Sequence, residues 1–440
     1  QERISASGEV LQALDEPSVL NALQQLVDQG VESVAVALLF AFLDARHEQR
    51  IAALAQQHFA HLSVSLSSEV DPAFREYERT VATAFDAYTK PILTRYLSRM
   101  AQALSERGVQ APFQVMHSRG GITSAASAAE RPVRLFLSGP AAGVIGGGQT
   151  GLECDITNLM SVDIGGTSCD IALIADGKPL VRSEGQIDGY PVRVPMVDVN
   201  AIGAGGGSIA WLDGAGGLRV GPQSAGADPG PAAYAKGATQ ATVTDASLVL
   251  GLLNANNFAG GTMALDANKA RAAIHETIAQ PLGMTVEAAA QGIRQVINAQ
   301  MAEGMRMVSI RQGYDPRDFA LVALGGAGPV HALALAEELS ISTVIVPRHP
   351  GVLSAEGLLM APLEHSVAAG FPRKLSETCA TEVRERLAQL DERAAALMVA
   401  EGLVDGAPDI QHFADVCYVG QSHYLEVALE PDSAEPLNAV

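Results

Sequence analysis

The sequence is short of aromatic side chains, of cysteine and of basic residues. Phe, Trp and Tyr make up 5% of its 440 residues, while Gly occurs 43 times. That balance suits an α/β protein with many close backbone approaches better than an aromatic-rich β sandwich. Four cysteines, Cys154, Cys169, Cys379 and Cys417, form no C-x-x-C pair. A disulfide scaffold is excluded, and reduced, mostly buried thiols are expected. No apolar run reaches the ~18 residues of a membrane span; the most apolar stretch is Val34 to Leu43. Lys and Arg number 29 against 49 Asp and Glu, and no basic run breaks the net charge of −20, which argues against a nucleic-acid partner. The opening residues, Gln1 to Ser5, are polar and lack Met. No signal peptide is therefore expected, the location is expected to be cytoplasmic, and the chain is expected to begin partway through a longer protein.

What is present points to a globular α/β chain. Hydrophobic residues are 48% and charged residues 18%, which excludes disorder, and the length suggests two or three domains. Val19, Leu20, Leu23, Leu26 and Val27 share one helical face, with Gly30 as a stop. The run Val34 to Phe40 has no alternation and reads as a strand buried on both faces. A helix over His47 to His58, a strand over Leu62 to Leu66 and a long helix from Glu76 to about Arg107 follow, with a kink at Pro91. Strand, glycine turn and strand are predicted over Leu159 to Ile174, and a buried strand over Phe319 to Leu324. Two segments, from Ser138 and from Gly351, read as helices built of small residues. Glycine costs a helix about 1 kcal/mol each, so close approach of another backbone is the expected return. The tail adds a helix over about Glu382 to Val399 and strands over Val416 to Val419 and Tyr424 to Leu429.

Three glycine clusters are candidates for chemistry. In Asp163-Ile164-Gly165-Gly166-Thr167-Ser168-Cys169-Asp170, two turn glycines let backbone N–H groups converge on an oxyanion without a Cβ in the way. Thr167 and Ser168 add hydroxyls, and Asp163 or Asp170 could hold Mg²⁺ through water. A plain Gly-Gly hairpin turn is the alternative. Gly325-Gly326-Ala327-Gly328-Pro329 stands between a strand and a helix, where a nucleotide can lie on the backbone; a tight turn is the alternative. Gly205-Gly206-Gly207-Ser208 is either a ligand loop or a surface loop. The sequence contains no Walker loop, no H-E-x-x-H and no G-x-S-x-G. The histidines, His331 among them, read as hydrogen-bonded structural residues.

The order of these pieces resembles the nucleotide-binding core of actin, hexokinases and heat-shock chaperones. Within it, the chain resembles the hydantoinase A/oxoprolinase family, including the related subunit of acetone carboxylases. The matching segments run from Val34 to Gln421. They include Glu76-Tyr77-Glu78-Arg79, Ser138-Gly139-Pro140-Ala141-Ala142-Gly143, the three glycine clusters, Ser224 to Pro231, Thr244-Asp245-Ala246, Gly313 to Arg317, Pro350 to Ala355 and Tyr418-Val419-Gly420-Gln421. The family's earlier Asp-x-Gly-Gly-Thr hairpin has no copy here, and Ser118-Arg119-Gly120-Gly121, Asp86-Ala87-Tyr88 and Asn200 depart from the family pattern. The resemblance implies an α/β fold of actin-like (ribonuclease H-like) ATPase lobes with a C-terminal α+β extension. Residues 1–137 would be the remainder of the first lobe, 138–365 the second lobe, and 366–440 the start of the C-terminal region. It implies ATP-dependent hydrolysis of a cyclic amide through phosphorylation of the amide oxygen, with ATP and Mg²⁺ as cofactors and a second hydantoinase-type subunit as partner. A ketone carboxylase subunit and a non-catalytic nucleotide-binding scaffold are the alternatives. Gly165, Gly166, Thr167 and Ser168 would meet phosphates, and Asp163 would hold Mg²⁺ with Asp170 as a second acid. Gly325, Gly326 and Gly328 would lie at the adenosine side, and Gly205, Gly206, Gly207 and Ser208 at the γ-phosphate. The turn of the Asp163–Asp170 hairpin is expected to face Gly325–Gly328 across a cleft.

Overall fold

A computed structural model describes residues 1–187, 189–402, 408–421 and 424–430. Helix α1 (Glu16–Asp28) starts where the Asp15 carboxylate accepts the Ser18 N–H and ends just before Gly30, whose φ is +79°. Strand β1 (Ser33–Val36), helix α2 (Arg46–His58) and strand β2 (Ser63–Leu66) make a parallel βαβ unit. The strand expected to reach Phe40 stops at Val36 and is only partly buried. Side chains intercept the backbone beyond it: Glu48 accepts the Leu38 N–H at 2.9 Å and Arg79 donates to the Leu38 carbonyl at 2.7 Å. Phe40 then takes φ +59°, which turns the chain. Helix α3 (Glu76–Glu106) runs for 31 residues through Pro91. Strands β3 (Gln114–Met116) and β4 (Ile122–Ser124) form a hairpin, and helix α4 (Ser138–Leu152) follows.

The next segment builds a six-stranded sheet. Strand β5 (Leu159–Ile164) pairs antiparallel with β6 (Cys169–Ala175), which pairs with β7 (Lys178–Pro179) and β8 (Asn200–Ile202). A separate hairpin of β9 (Ser208–Leu212) and β10 (Leu218–Ser224) leads to α5 (Val243–Val249) and α6 (Val286–Arg311). Strand β11 (Ala320–Leu324) returns parallel to β5. After α7 (Gly328–Leu339), strand β12 (Val344–Ile345) lies parallel to β11. Strand alternation sorts side chains onto two faces. Met160, Val162, Ile164, Ile171 and Leu173 pack with Ile293, Ile297 and Met301 of α6 and Leu335 of α7. Leu159, Ala172, Ile174, Val322 and Leu324 pack with Ala141, Ala142 and Val144 of α4 and Leu353 of helix α8 (Leu353–Met360). Helices therefore cover both faces of a mixed sheet.

Helix α9 (Ala380–Glu401) ties the C-terminal region back to the N-terminal one. The buried Glu401 carboxylate accepts from Thr123 Oγ1, the Ser124 N–H and Ser127 Oγ at 2.9–3.0 Å, and meets His365 Nε2 at 2.8 Å. Strands β13 (His412–Val416) and β14 (Leu425–Leu429) form a hairpin. The strand expected over Val416 to Val419 lies earlier, because pairing of Val416 with Leu425 leaves Cys417, Tyr418 and Val419 beyond the ladder. Residues 431–440 of the expected C-terminal region lie outside the described residues. The cysteine expectation also changes. All four thiols are free, but only Cys169 is buried, while Cys154, Cys379 and Cys417 are exposed. Among the described residues no helix is long and apolar enough to cross a membrane.

Candidate functional site

The Gly165–Ser168 segment is the turn between β5 and β6, closed by the Gly165 N–H to the Ser168 carbonyl at 3.1 Å. Among the described residues, the N–H groups of Gly166, Thr167 and Ser168 donate to no protein acceptor, and Gly166 and Thr167 are exposed. Three successive unengaged amides at a turn are donors available to an anion.

The Gly205–Ser208 loop lies behind that turn and is buried throughout. All four of its amides are engaged inside the protein. Gly205 donates to Ser208 Oγ at 2.9 Å and Ser208 to the Gly205 carbonyl at 3.1 Å. Gly206 donates to the Gly165 carbonyl at 3.0 Å and Gly207 to the Gly166 carbonyl at 2.6 Å. A Cβ at Gly205 or Gly207 would lie 2.9 Å from the Gly166 carbonyl oxygen. The glycines thus permit backbone-on-backbone contact, and their amides brace the turn from within rather than opening to solvent.

Asp163 and Asp170 sit directly opposite each other across the β5–β6 pair and share one face of the sheet. Burial, and then the facing Asp170 charge, push the Asp163 pKa up. Burial raises that of Asp170, partly offset by a hydrogen bond from Ser168. Neither carboxylate has an ion-pair partner among the described residues. Two uncompensated carboxylates have the donor chemistry of a hard divalent cation. Among the described residues no third His, Cys, Asp or Glu joins them, so such an ion would take its remaining ligands from water or phosphate oxygens.

The second glycine turn follows β11, the parallel neighbour of β5, with Leu324 opposite Asp163 in register. Both turns therefore leave the same end of the sheet. They adjoin directly, with no cleft between them: the Ala327 N–H donates to the Ile164 carbonyl at 2.9 Å. The reason is the hydrogen-bonded pairing of their strands. Gly325 has φ +77°, and a Cβ there would overlap the Asp163 carboxylate. Gly326 is exposed with nothing near its Cβ position, and Gly328 opens α7.

The two small-residue helices cross at this end. A Cβ on Gly146 would lie 2.8 Å from the Leu353 carbonyl oxygen, and one on Gly357 would overlap the Ala142 carbonyl. A Cβ on Gly143 would lie 3.0 Å from Ser354 Oγ and 3.6 Å from Asp163 Oδ2. The crossing thus sets the α4 backbone beside the Asp163 carboxylate. His331 matches the structural reading: it is buried, its Nδ1 is 2.6 Å from Asn298 Oδ1, and burial depresses its pKa to about 3.

The sequence alone marks Thr244 and Asp245 only as part of a family-like segment. The structure places the Thr244 N–H and Oγ1 on the Gly206 carbonyl, at 2.7 and 2.8 Å, and puts Asp245 in a capping box with Thr242. The Thr242-x-x-Asp245 spacing was the available signal.

The sequence model described as Hydantoinase/oxoprolinase matches residues 79–367, and that of the Hydantoinase/oxoprolinase N-terminal region matches residues 1–59. Caprolactamase subunit alpha of Pseudomonas jessenii is 37% identical over 433 residues, 98% of this chain and 62% of the relative. The crystal structure of ATP-dependent caprolactamase from Pseudomonas jessenii matches with a TM-score of 0.87 at 36% identity, over 99% of this chain and 63% of the other. The nucleotide-free structure of acetone carboxylase matches with a TM-score of 0.76 at 30% identity, over 97% and 62%. The chain spans less than two thirds of the length of the curated relatives it matches. With the family model covering well over half of its residues, the chain belongs to the hydantoinase/oxoprolinase family.

Proposed function

We propose that this chain is the nucleotide-binding part of an ATP-dependent enzyme that opens a cyclic amide, of the hydantoin, 5-oxoproline or lactam kind. On this reading residues 138–365 form the second of two actin-like lobes, 1–137 contribute to the first, and 366–440 begin a C-terminal region. One observation carries the reading. Three outward amides at Gly166–Ser168, two uncompensated carboxylates at Asp163 and Asp170, and the Gly325–Gly328 turn share one end of one sheet. The 37% identity to a caprolactamase subunit supports a lactam-type substrate.

An unstrained amide is a poor electrophile. Transfer of the γ-phosphoryl group to the amide oxygen breaks the terminal P–O bond of ATP and turns that oxygen into a leaving group. Water then adds at that carbon, the ring C–N bond breaks as the nitrogen takes up a proton, and the acyl phosphate left behind is hydrolysed by a second water to the carboxylate and free phosphate. Such transfer needs positioning and charge neutralisation more than a protein nucleophile. The Gly166, Thr167 and Ser168 amides and the two hydroxyls would hold phosphate oxygens. Asp163, with Asp170 beside it, would hold Mg²⁺, which supplies positive charge at those oxygens when bound. Gly325, Gly326 and Gly328 would receive the adenosine side. Gly205, Gly206, Gly207 and Ser208 would hold the phosphate turn in place from behind.

A ketone carboxylase subunit is the second reading, favoured by the match to acetone carboxylase; it shares the phosphorylation step and differs in the acceptor. A second subunit is expected in either case, as the name of the caprolactamase relative suggests. The test is ATP hydrolysis by the complete subunit with its partner. Stimulation by caprolactam, hydantoin or 5-oxoproline supports the proposal. Stimulation only by a ketone with bicarbonate selects the second reading, and nucleotide binding without any stimulated turnover indicates a scaffold.

A further inference from the structure

We infer that Thr244 is a positioning residue for the phosphate turn, acting through two layers of peptide planes. The inference rests on the reading of Gly166–Ser168 as an anion site. A trans peptide holds its C=O and the following N–H antiparallel in one plane. The Gly206 carbonyl accepts two bonds from Thr244, from its N–H at 2.7 Å and its Oγ1 at 2.8 Å. The opposite edge of that same peptide is the Gly207 N–H, which donates to the Gly166 carbonyl at 2.6 Å. The opposite edge of the Gly166 peptide is the Thr167 N–H, one of the outward amides. Thr244 therefore sets the first plane, the first plane sets the second, and the second aims a donor at the ligand. A hydrogen-bond chain of this kind polarises along its length, so the Thr167 N–H is also made a better donor.

Thr244 is itself rigid. The adjacent Asp245 carboxylate is fully buried and accepts from the Ala232 N–H at 3.2 Å, the Ala233 N–H at 2.7 Å, the Thr242 N–H at 2.9 Å and Thr242 Oγ1 at 2.7 Å. Position 206 accepts no side chain, since a Cβ there would lie 2.8 Å from Thr244 Oγ1. The Thr244-Asp245-Ala246 segment thereby acquires a purpose that no cavity or charge at its own position explains.

The test compares Thr244→Val, which keeps shape and the backbone bond but loses the hydroxyl, with Thr244→Ser, which restores it. MgATP and adenosine affinities are measured by calorimetry, and amide exchange is followed over residues 203–210. Loss of one hydrogen bond in the relay should weaken MgATP by about 3- to 10-fold in Thr244→Val, leave adenosine unchanged and speed exchange at Gly206 and Gly207. Thr244→Ser should return both readouts to within about twofold of wild type. Thr244→Cys, with a weaker donor, should fall between them and keeps the test open if Thr244→Val does not fold. Unchanged MgATP affinity in Thr244→Val, or equal losses for MgATP and adenosine, overturns the inference alone. A wild-type chain that binds no MgATP overturns the phosphate-site reading and the inference with it.

Discussion

Replacing Gly357 by Ala tests whether small residues are required where α4 and α8 cross. A Cβ at this position overlaps the Ala142 carbonyl oxygen and lies 2.9 Å from the Gly146 nitrogen and 3.0 Å from the Ala142 carbonyl carbon. All three are backbone atoms, so no rotamer change relieves the clash. The helices must separate by about 1 Å to restore ordinary contact distances. Overpacking of this kind costs about 1–3 kcal/mol and sometimes more, against a helix-propensity gain of about 1 kcal/mol for Gly to Ala. With backbone overlap this severe the cost lies at the upper end of that range, so the net expectation is a loss of about 2 kcal/mol, read as a lower midpoint in urea unfolding. Because Gly143 of α4, the helix that would be displaced, lies beside Asp163, nucleotide affinity should fall as well. Gly139→Ala is the control. It lies in the first turn of α4 with nothing within 4 Å of its Cβ position, so it should be neutral or stabilising by up to about 1 kcal/mol. A Gly357→Ala protein as stable as wild type, or equal losses in both variants, would refute the close-crossing argument.

Further outcomes follow from charge and burial. The folded-state pKa of Asp170 is raised, so its ionisation opposes folding, and the associated stability is present at low pH and lost as pH rises through its folded pKa. Asp170→Asn should therefore raise the melting temperature of the ligand-free protein at pH 7 and leave it unchanged near pH 3, while weakening Mg²⁺-dependent nucleotide binding. Glu401 shows the opposite sign: burial works against its charge, but bonds from Thr123, Ser127 and His365 outweigh it and hold its pKa down. Glu401→Gln should cost about 1–3 kcal/mol at neutral pH, a difference that fades as pH falls through the carboxylate range. Cys169 is buried, and burial with its two acidic neighbours pushes its pKa to about 12. A chromogenic disulfide reagent should label Cys154, Cys379 and Cys417 in the native protein and reach Cys169 only after unfolding.

Much of this protein was determined locally and could be read from its residues. Gly30 after an apolar helical face ends α1, and the apolar-rich segment of β5 and the unbroken apolar run of β11 become strands buried along most of their length. Small residues at Gly143, Gly146 and Gly357 announced a close backbone crossing, because their cost in helix stability needs such a return. What the residues could not settle depended on partners distant in sequence. Val34 to Phe40 has the composition of a longer strand, but Glu48 and Arg79 take the Leu38 backbone groups and end it at Val36. Gly205 to Ser208 has the composition of a ligand loop, yet its amides face inward, because the carbonyls of Gly165 and Gly166 stand there to receive them. Both amide sets are glycine-rich and alike in sequence. Which one faces solvent is decided by hydrogen-bond satisfaction in the folded chain, where a buried N–H must find an acceptor and an exposed one need not. The adjacency of Asp163 to Gly325 likewise comes from pairing β5 with a strand more than 150 residues later, a register that only the assembled sheet can set.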